Sequence, residues 1–445
     1  MSVEELKAII TSQRKDLEGL FTKERIIARD LDRLRVKKFI THPNVLAILG
    51  VRRCGKSIFC WLLLKGEKFG YINFFDERLV GLKAEELNKV LQAFYELYGS
   101  DTNYFVLDEI QKVAGWERFV SRLRTSSKIV ITGSNSDLLR GELATFLTGR
   151  HIDVELMPFS LREYLRVLNI VLEENWAYSA SAIATVKKSL SEFLEKGGFP
   201  EVSKFGSVML SGIYRDIIEN DVIGHHKVRN PQSLRELAKY LISNSGKEIT
   251  FNKIKSSIGI KDPHTISKYS AWLSDSYLLF LLERFSYKLK EQFKAPKKVY
   301  CIDTGLANNV AFRLSNDPGR QMENAVFLEL LRRKHYFYSN WELYYWKDHR
   351  GREVDFIIKT EGKVIQLVQV TFASAENEVE EREVESLAIA ATELNCDNLL
   401  VVTWDYEGSS VLENKKIAFI PLWKWLLAPP TSEKANGNFG NPANK

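Results

Sequence analysis

The stretch Gly50-Val-Arg-Arg-Cys-Gly-Lys-Ser57 has the residue types and the spacing needed to hold a chain of phosphate groups. It matches the pattern G-x-x-x-x-G-K-[ST], in which glycines allow backbone N–H groups to turn towards phosphate oxygens. Lys56 is expected to reach the β- and γ-phosphates, and the Ser57 hydroxyl is expected to ligate Mg²⁺. The helix that follows directs its positive dipole end to the same place. The pattern therefore predicts ATP and Mg²⁺ as ligands, with further contacts from Gly50, Arg53, Cys54, Gly55 and Ile58.

Two acids end the apolar run Tyr104-Phe-Val-Leu-Asp-Glu109, about 50 residues after this loop. Asp108 is expected to hold Mg²⁺ through water or together with Ser57, and Glu109 to orient and polarise the attacking water. Acids that face solvent after a strand are common. The preceding phosphate loop makes the catalytic interpretation the stronger one.

A weaker signal lies in the polar end of the run Ile129-Val-Ile-Thr-Gly-Ser-Asn135. A third strand beside the other two would place Ser134 or Asn135 near the γ-phosphate or the attacking water. Arg150 is a candidate for stabilising the charge of the transition state. It would act in cis, or in trans within a homo-oligomer. The alternative is a surface arginine that opens the next strand.

The elements that must position these residues are also visible in the sequence. Continuous apolar runs are typical of buried parallel strands, and strands that alternate with helices predict an α/β fold. The predicted strands are residues 45–49, 69–75, 104–107 and 128–132, and the predicted helices between them are 82–97 and 116–124.

After Pro158 the pattern changes, and residues 160–245 read as helical with one break at Gly197-Gly-Phe-Pro200. From about residue 298 strands return. A helix is predicted at 321–334, strands at 343–347, 353–359, 363–372 and 399–404, and an acidic helix at 376–395. The low-complexity residues from 427 to 445 are expected to be disordered.

The 445 residues have 45% hydrophobic and 27% charged side chains, which are the proportions of a globular protein. No apolar run is long enough for a membrane span, and the N-terminus does not resemble a secretory signal. The four cysteines form no C-x-x-C pair, so neither a zinc site nor a disulfide framework is expected. These features favour a cytoplasmic protein that has no contact with a membrane.

Positive charge is concentrated in one segment. Residues 226–300 carry 15 Lys and Arg against 6 Asp and Glu, whereas residues 370–445 carry 6 against 12. Within the basic segment, two predicted helices, 251–258 and 264–274, have helix-turn-helix spacing, and residues 277–290 could form a wing. The alternative is a module used for packing, with its lysines solvated. DNA binding by counterion release is expected from six lysines, Lys253, Lys255, Lys261, Lys268, Lys288 and Lys290. His264 and Thr265, at the start of the second helix, are expected to contact phosphates or base edges.

Several further motifs carry a resemblance: Tyr-Ile-Asn-Phe-x-Asp-Glu-Arg, Ile-Thr-Gly-Ser-Asn-Ser, Leu-x-Gly-Arg, Gly-Gly-Phe-Pro-Glu-Val and Lys298-Val-Tyr-x-Ile-Asp303-Thr-Gly-Leu306. With the phosphate loop and the Asp-Glu pair, they resemble archaeal and bacterial AAA-type ATPases that carry a C-terminal domain with a restriction-endonuclease-like core. The resemblance implies an AAA-type core at 1–157, a helical lid at 158–225, a winged-helix module at 226–297, a nuclease-like domain at 298–427 and a disordered tail at 428–445.

The nuclease-like domain departs from its expected pattern. Such nucleases use a helical Glu, an Asp on one strand and an acid-x-Lys pattern on the next, so that carboxylates hold Mg²⁺ and lysine positions water. Here Glu323 and Asp355 supply the first two groups, but Gln369 stands at the acid position and Thr371 at the lysine position. A nuclease fold without nuclease activity is therefore expected.

Taken together, the residues favour a Mg²⁺-dependent ATPase coupled to the binding or remodelling of DNA, in duplex or branched form. Two alternatives stay open. One is a nucleotide-dependent regulatory switch that binds a protein partner, and the other is an ATP-dependent nuclease.

Overall fold

The computed structural model describes residues 1–40, 43–136, 147, 149–260, 262–311 and 317–429. The chain divides into two units. The first comprises Met1–Pro158, Glu219–His225 and Asp275–Tyr277, and the second comprises Phe159–Ile218, His226–Ser274 and the residues from Leu278 onward. In the described part of the chain, no helix is long and apolar enough to cross a lipid bilayer.

A sheet of five parallel strands, in the order β2-β3-β4-β1-β5, forms the centre of the first unit. All five residues of β1 are buried, as are most residues of β2, β3 and β4, which explains the continuous apolar runs in the sequence. The four predicted strands are confirmed. The strands are β1 (Val45–Leu49), β2 (Phe69–Asn73), β3 (Tyr104–Asp108), β4 (Lys128–Gly133) and β5 (His151–Glu155).

Helices connect these strands and precede them. They are α1 (Val3–Lys23), α2 (Arg33–Lys38), α3 (Lys56–Leu63), α4 (Leu87–Tyr98) and α5 (Trp116–Leu123), with 3-10 turns at Glu77–Leu79, Ala84–Glu86 and Ile110–Lys112. The predicted helix 82–97 begins later than expected, at Leu87. The reason is local, because the Glu86 carboxylate accepts the backbone N–H of Lys83 and closes a separate 3-10 turn.

The second unit begins with a group of helices. They are α6 (Leu161–Val167), α7 (Ala180–Lys196), α8 (Pro200–Phe205) and α9 (Val208–Asp216), with a 3-10 turn at Trp176–Tyr178. A π-helical segment, Ile217–Ile223, follows α9. The helical character predicted for this region is confirmed.

Next comes a module in the order helix, strand, helix, helix, strand, short helix, strand. It contains α10 (Pro231–Ser243), β6 (Glu248–Ile249), α11 (Phe251–Ile258), α12 (Pro263–Asp275), β7 (Leu279–Leu282), α13 (Leu289–Lys294) and β8 (Lys297–Cys301). The three strands pair antiparallel in the order β6-β8-β7. The two predicted helices of the basic segment are therefore present.

A six-stranded mixed sheet, in the order β13-β14-β12-β11-β10-β9, completes the second unit. Its central strands β11, β12 and β14 are parallel. The predicted acidic helix 376–395 begins only at Glu381, after a 3-10 turn at Glu376–Glu378. The elements are α14 (Thr304–Val310), α15 (Pro318–Tyr336), β9 (Glu342–Lys347), β10 (Glu353–Thr360), β11 (Lys363–Thr371), α16 (Glu381–Leu394), β12 (Leu399–Thr403), β13 (Gly408–Leu412), β14 (Lys415–Pro421) and α17 (Leu422–Leu427).

Two of the motifs singled out in the sequence meet in this unit. The buried Asp303 carboxylate accepts the N–H of Gly198 at 2.6 Å and that of Leu306 at 2.8 Å. A Cβ added at Gly197, whose φ is +81°, would lie 2.0 Å from the same carboxylate. Gly197 is therefore required because a buried acid packs directly against its backbone, and Gly198 is required because a Cβ there would lie 2.3 Å from the carbonyl oxygen of Phe159.

Candidate functional site

The phosphate loop joins β1 to α3, at the carboxyl edge of the parallel sheet. Its backbone adopts left-handed angles at Arg53 (φ 64°) and Gly55 (φ 100°), and Gly50 has a φ of 145°. A Cβ added at Gly50 would lie 2.1 Å from the carbonyl oxygen of Leu156, so a side chain does not fit there. These angles curl the loop into the concave form that binds anions through backbone N–H groups.

Lys56 is buried, and its ammonium lies along this loop. The Nζ atom donates to the carbonyl oxygens of Gly50 at 2.9 Å and Val51 at 3.1 Å. It also lies 3.9 Å from Oε1 of Glu109. The lysine of the loop and the second acid of the Asp-Glu pair are thus brought together, as the sequence predicts.

Asp108, the last residue of β3, is a buried carboxylate with hydroxyl partners. Its Oδ2 accepts from the Tyr71 hydroxyl at 2.7 Å, and its Oδ1 accepts from the Thr132 hydroxyl. Burial, followed by the negative charge of Asp108, raises the pKa of the Tyr71 phenol well above its ordinary value, so Tyr71 stays a donor. The carboxyl oxygens of Asp108 beside these hydroxyls, with Ser57 in the first turn of α3, are a set of hard oxygen donors that fits Mg²⁺.

Glu109 follows Asp108 in a left-handed conformation, with a φ of 54°. Its N–H donates to the Thr132 hydroxyl at 3.0 Å. Its Oε2 accepts from the Gln111 amide and from the Ser134 hydroxyl, the latter at 3.3 Å. Burial raises the pKa of the Glu109 carboxyl, although the ammonium of Lys56 opposes the rise. This environment favours a carboxylate that takes up a proton more readily than an exposed one.

A second buried acid, Asp221, lies beside this group and was not predicted from the sequence. It belongs to the π-helical segment and forms a two-point ion pair with Arg52, at 2.9 and 2.6 Å. The Ser134 hydroxyl donates to Asp221 at 2.9 Å as well as contacting Glu109. A continuous polar chain therefore runs from Glu109 through Ser134 and Asp221 to Arg52. No sequence pattern links these two residues, because Asp221 is a single acid that lies 169 positions from Arg52.

The remaining predicted residues of this site lie in different places. Asn135 is buried beside Ser134 at the end of β4, and Cys54 is buried within the loop. Arg150 is exposed and directly precedes β5. Since Val45 pairs with His151 in parallel register, Arg150 lies at the amino edge of the sheet, opposite the phosphate loop. Five strand residues span about 16 Å, which an arginine side chain does not bridge. A role in cis is therefore excluded, and action in trans stays a prediction.

The residues predicted to contact DNA lie mainly on exposed positions of the three-stranded module. Thr265 is half-buried, and its hydroxyl donates to Asp262 at 2.9 Å. Lys268 lies 4.9 Å from the centre of the Trp272 ring. Lys261 lies outside the described residues. The exposed members are Lys253, Lys255, His264, Lys268, Lys288 and Lys290.

In the second unit, three of the four predicted degenerate nuclease residues, Glu323, Asp355 and Gln369, meet, together with a residue that was not predicted. Glu323 lies on α15 and Asp355 on β10, whereas Gln369 and Thr371 lie on β11. The Gln369 side-chain oxygen accepts the N–H of Asp355 at 3.3 Å. Burial raises the pKa of the Glu323 carboxyl to about 7, although Lys298 opposes the rise.

Lys298, from β8, is the residue that the sequence interpretation missed. Its Nζ lies 2.8 Å from Glu323, 2.7 Å from Glu353 and 2.8 Å from Asp355, and only 2% of the side chain is exposed. Burial alone would lower the pKa of this ammonium, but Asp355 and Glu323 raise it well above its ordinary value. An ammonium thus fills the centre of the three carboxylates, so these residues do not fit a divalent metal. Across the described ranges, no group of three or more His, Cys, Asp or Glu residues is arranged to hold a metal ion.

Three family models match parts of the chain. A model described as an AAA domain matches residues 42–165. Two models of domains of unknown function, DUF8612 and DUF4143, match residues 187–317 and 318–425.

Two curated relatives extend over most of the chain. An uncharacterized protein of Methanocaldococcus jannaschii is 35% identical over 452 residues, which cover 95% of this chain and 98% of that protein. An uncharacterized protein of Haemophilus influenzae is 32% identical over 352 residues, which cover 75% of this chain and 84% of that protein. A solved structure of a Walker-type ATPase of Pyrococcus abyssi is similar at 18% identity and a TM-score of 0.39, covering 64% of this chain and 98% of that one.

Proposed function

The chain belongs to the family of these two relatives and carries an AAA-type P-loop ATPase domain; from this premise, we propose that it is a Mg²⁺-dependent ATPase whose nucleotide cycle is coupled to DNA binding. The observation that carries the proposal is the meeting of Lys56, Asp108 and Glu109 at one edge of a parallel sheet, beside the phosphate loop. A lysine for phosphate, an acid for the metal and a buried acid for water are the parts that phosphoryl transfer to water needs.

In this proposal, the loop and the first turn of α3 bind the phosphates of ATP through backbone N–H groups. Lys56 exchanges its two carbonyl acceptors for phosphate oxygens. Ser57 and Asp108 hold Mg²⁺, which neutralises charge on the phosphates when bound. Glu109 accepts a hydrogen bond from the attacking water and orients it towards the γ-phosphorus atom. Ser134, which contacts Glu109 at 3.3 Å, helps to keep that carboxylate in place.

The DNA part of the proposal is supported by the three-stranded module. Its order of helices and strands, with two helices before an antiparallel pair, supports our proposal that it is a winged helix. The module displays exposed lysines at the positions named above, and such lysines bind phosphates with release of counterions. We propose that ATP binding and hydrolysis alter how this module engages DNA.

The C-terminal sheet is proposed to be a nuclease fold that has lost its activity. Gln369 and Thr371 stand where an acid and a lysine would be needed, and Lys298 neutralises the remaining acids. Its remaining role would be to act as a scaffold or to contact branched DNA.

The test is ATP turnover measured with and without duplex, forked and four-way-junction DNA at low salt. The wild type is expected to hydrolyse ATP and to be stimulated by at least one of these DNAs. Glu109→Gln is expected to bind ATP and lose turnover by about 100-fold or more, and Lys56→Ala is expected to lose ATP binding. Glu85→Gln, an exposed acid in a 3-10 turn of the same unit, is the matched control and should behave as wild type.

Each outcome bears on a separate part of the proposal. Wild-type turnover in Glu109→Gln would contradict the role given to that residue. Turnover that no DNA alters, together with no DNA binding, would contradict the coupling and favour a nucleotide-dependent switch that acts on a protein. DNA cleavage with Mg²⁺ or Mn²⁺ that disappears in Asp355→Ala would contradict the loss of nuclease activity.

A further inference from the structure

The segment between β7 and β8, residues 284–294, exposes three large apolar side chains. Tyr287 is 72% exposed, Leu289 is 65% exposed and Phe293 is 66% exposed. Six other large apolar residues in the described ranges are at least 65% exposed, but they lie elsewhere in the chain, whereas these three fall within seven positions. Clustered exposure of apolar side chains on a folded surface commonly marks an interaction site.

The segment is anchored to the fold by its buried residues. Phe285 is buried and packs edge-on against the rings of Tyr287, at 5.0 Å, and Tyr344, at 5.7 Å. The Phe285 N–H donates to the carbonyl of Tyr345 at 2.7 Å. The buried Gln292 amide donates to Glu283 at 2.8 Å. The exposed side chains are therefore held on a fixed backbone, so that ordering them on a ligand costs little further entropy.

Positive charge alternates with these apolar side chains. The segment contains Arg284, Lys288, Lys290 and Lys294 against a single acid, Glu291. Glu291 lies 3.2 Å from Lys288. In the residues that the structure describes, Lys290 and Lys294 form no ion pair within 4.0 Å. The positive charge of the segment therefore favours a negatively charged partner over an uncharged, apolar one.

Further lysines lie at the same end of the small sheet. Ile249 of β6 pairs with Lys297 of β8, so the start of α11 and the end of α13 are neighbours along the sheet. The exposed Lys253 and Lys255 follow within the first turns of α11. Their charge adds to that of the segment and enlarges the basic surface that an anionic ligand can contact.

We propose that the β7–β8 segment binds single-stranded nucleic acid, with Tyr287 and Phe293 stacking on bases and the lysines contacting phosphates. This proposal rests on the DNA part of the proposed function and names the form of the ligand. Aromatic faces that project from a basic surface match unpaired bases, because the bases of a duplex are already stacked on each other.

The experiment is fluorescence anisotropy of the full-length chain with fluorescein-labelled dT20 and with a 20-base-pair duplex. The double variant Tyr287→Ala/Phe293→Ala is expected to bind dT20 at least about tenfold more weakly, since each stacked base contributes a factor of this order. The matched control is Tyr178→Ala/Val171→Ala, two equally exposed apolar residues elsewhere in the second unit, which should bind as wild type. Basal ATP turnover and the melting temperature of both variants should equal those of the wild type.

The charge is tested separately with Lys288→Gln/Lys290→Gln/Lys294→Gln. Each phosphate contact contributes about 0.7 to the slope of log Kd against log salt concentration for single strands, so the slope should fall by about 2. Equal dT20 binding by the wild type and by the Tyr287/Phe293 variant would overturn the inference and leave DNA-coupled ATP hydrolysis intact. No binding of dT20 by the wild type at low salt would overturn the inference, and ATP turnover of the same sample shows whether the ATPase also fails. A third outcome would overturn the inference in favour of a membrane surface. In that outcome, the wild type binds vesicles containing 30% phosphatidylserine but not dT20, and the Tyr287/Phe293 variant no longer binds the vesicles.

Discussion

Replacement of Lys298 by methionine removes the ammonium from the centre of three carboxylates and keeps a side chain of similar length. The Nζ atom lies within 2.8 Å of Glu323, Glu353 and Asp355, and only 2% of the Lys298 side chain is exposed. Removing one partner of a buried ion pair typically costs about 3–5 kcal/mol, because the remaining charge stays buried without compensation. For a unit of this size, with an unfolding entropy of about 2.1 cal/mol/K per residue, that corresponds to a fall in melting temperature of about 5–9 °C.

The loss of stability in Lys298→Met should depend on pH, and the pKa of the Glu323 carboxyl sets the direction of that dependence. Burial raises the pKa of its carboxyl to about 7 in the folded chain, above the ordinary value of 4.5. The folded state therefore keeps a proton that the unfolded state releases between these values, so this group costs stability as pH rises through that window. Without the ammonium, the carboxyl pKa rises further. The deficit of Lys298→Met should be smaller near pH 5, where the Glu323 carboxyl is protonated, and larger above about pH 8, where it is ionised.

The assay is urea unfolding followed by tryptophan fluorescence at pH 5 and pH 8, for the wild type and for two variants. Lys359→Met is the matched control, because Lys359 also pairs with an acid of the same sheet, Glu342 at 3.0 Å, but is 22% exposed. An exposed pair of this kind contributes less than about 1 kcal/mol. The reasoning is refuted if Lys298→Met loses less than about 1 kcal/mol at pH 8, or if its deficit is the same at both pH values.

Two further predictions concern the ATP site. Asp221→Asn should lower kcat about tenfold with little change in KM, because Arg52 and Ser134 lose the charge that positions them beside Glu109; steady-state kinetics test this, and a change confined to KM would contradict it. The kcat/KM of the wild type, which reports the pKa of the free enzyme, should fall on acidification with a midpoint above pH 4.5, because burial raises the pKa of Glu109 and only the ionised form can act on water; a midpoint at or below 4.5 would show that another group controls turnover.

Much of the ATP site could be predicted from the sequence because its parts are local. The phosphate loop is formed by eight consecutive residues whose glycines permit the required backbone angles, as at Gly50 and Gly55. Asp108 and Glu109 follow an apolar strand, and in a parallel sheet the carboxyl ends of strands meet at one edge. The strands themselves were predicted since burial on both faces demands continuous apolar runs.

The position of Arg150 relative to the phosphate loop could not be predicted from the sequence. Its residue type and its position after a Thr-Gly pair suggested a charge near the transition state. Only the register of β5 against β1 shows that it lies at the opposite edge of the sheet. Register is set by packing of the whole sheet, which spacing along the chain does not encode.

The sequence by itself determined the phosphate loop, its acids and the α/β alternation, since these depend on neighbouring residues and on the periodicity of burial. Only the tertiary structure decided that Asp221 pairs with Arg52 and that Lys298 neutralises Glu323 and Asp355. The physical reason is that a buried charge must find a partner wherever the fold supplies one. Such partners are chosen by proximity in space, and the chain separates these pairs by as many as 169 positions.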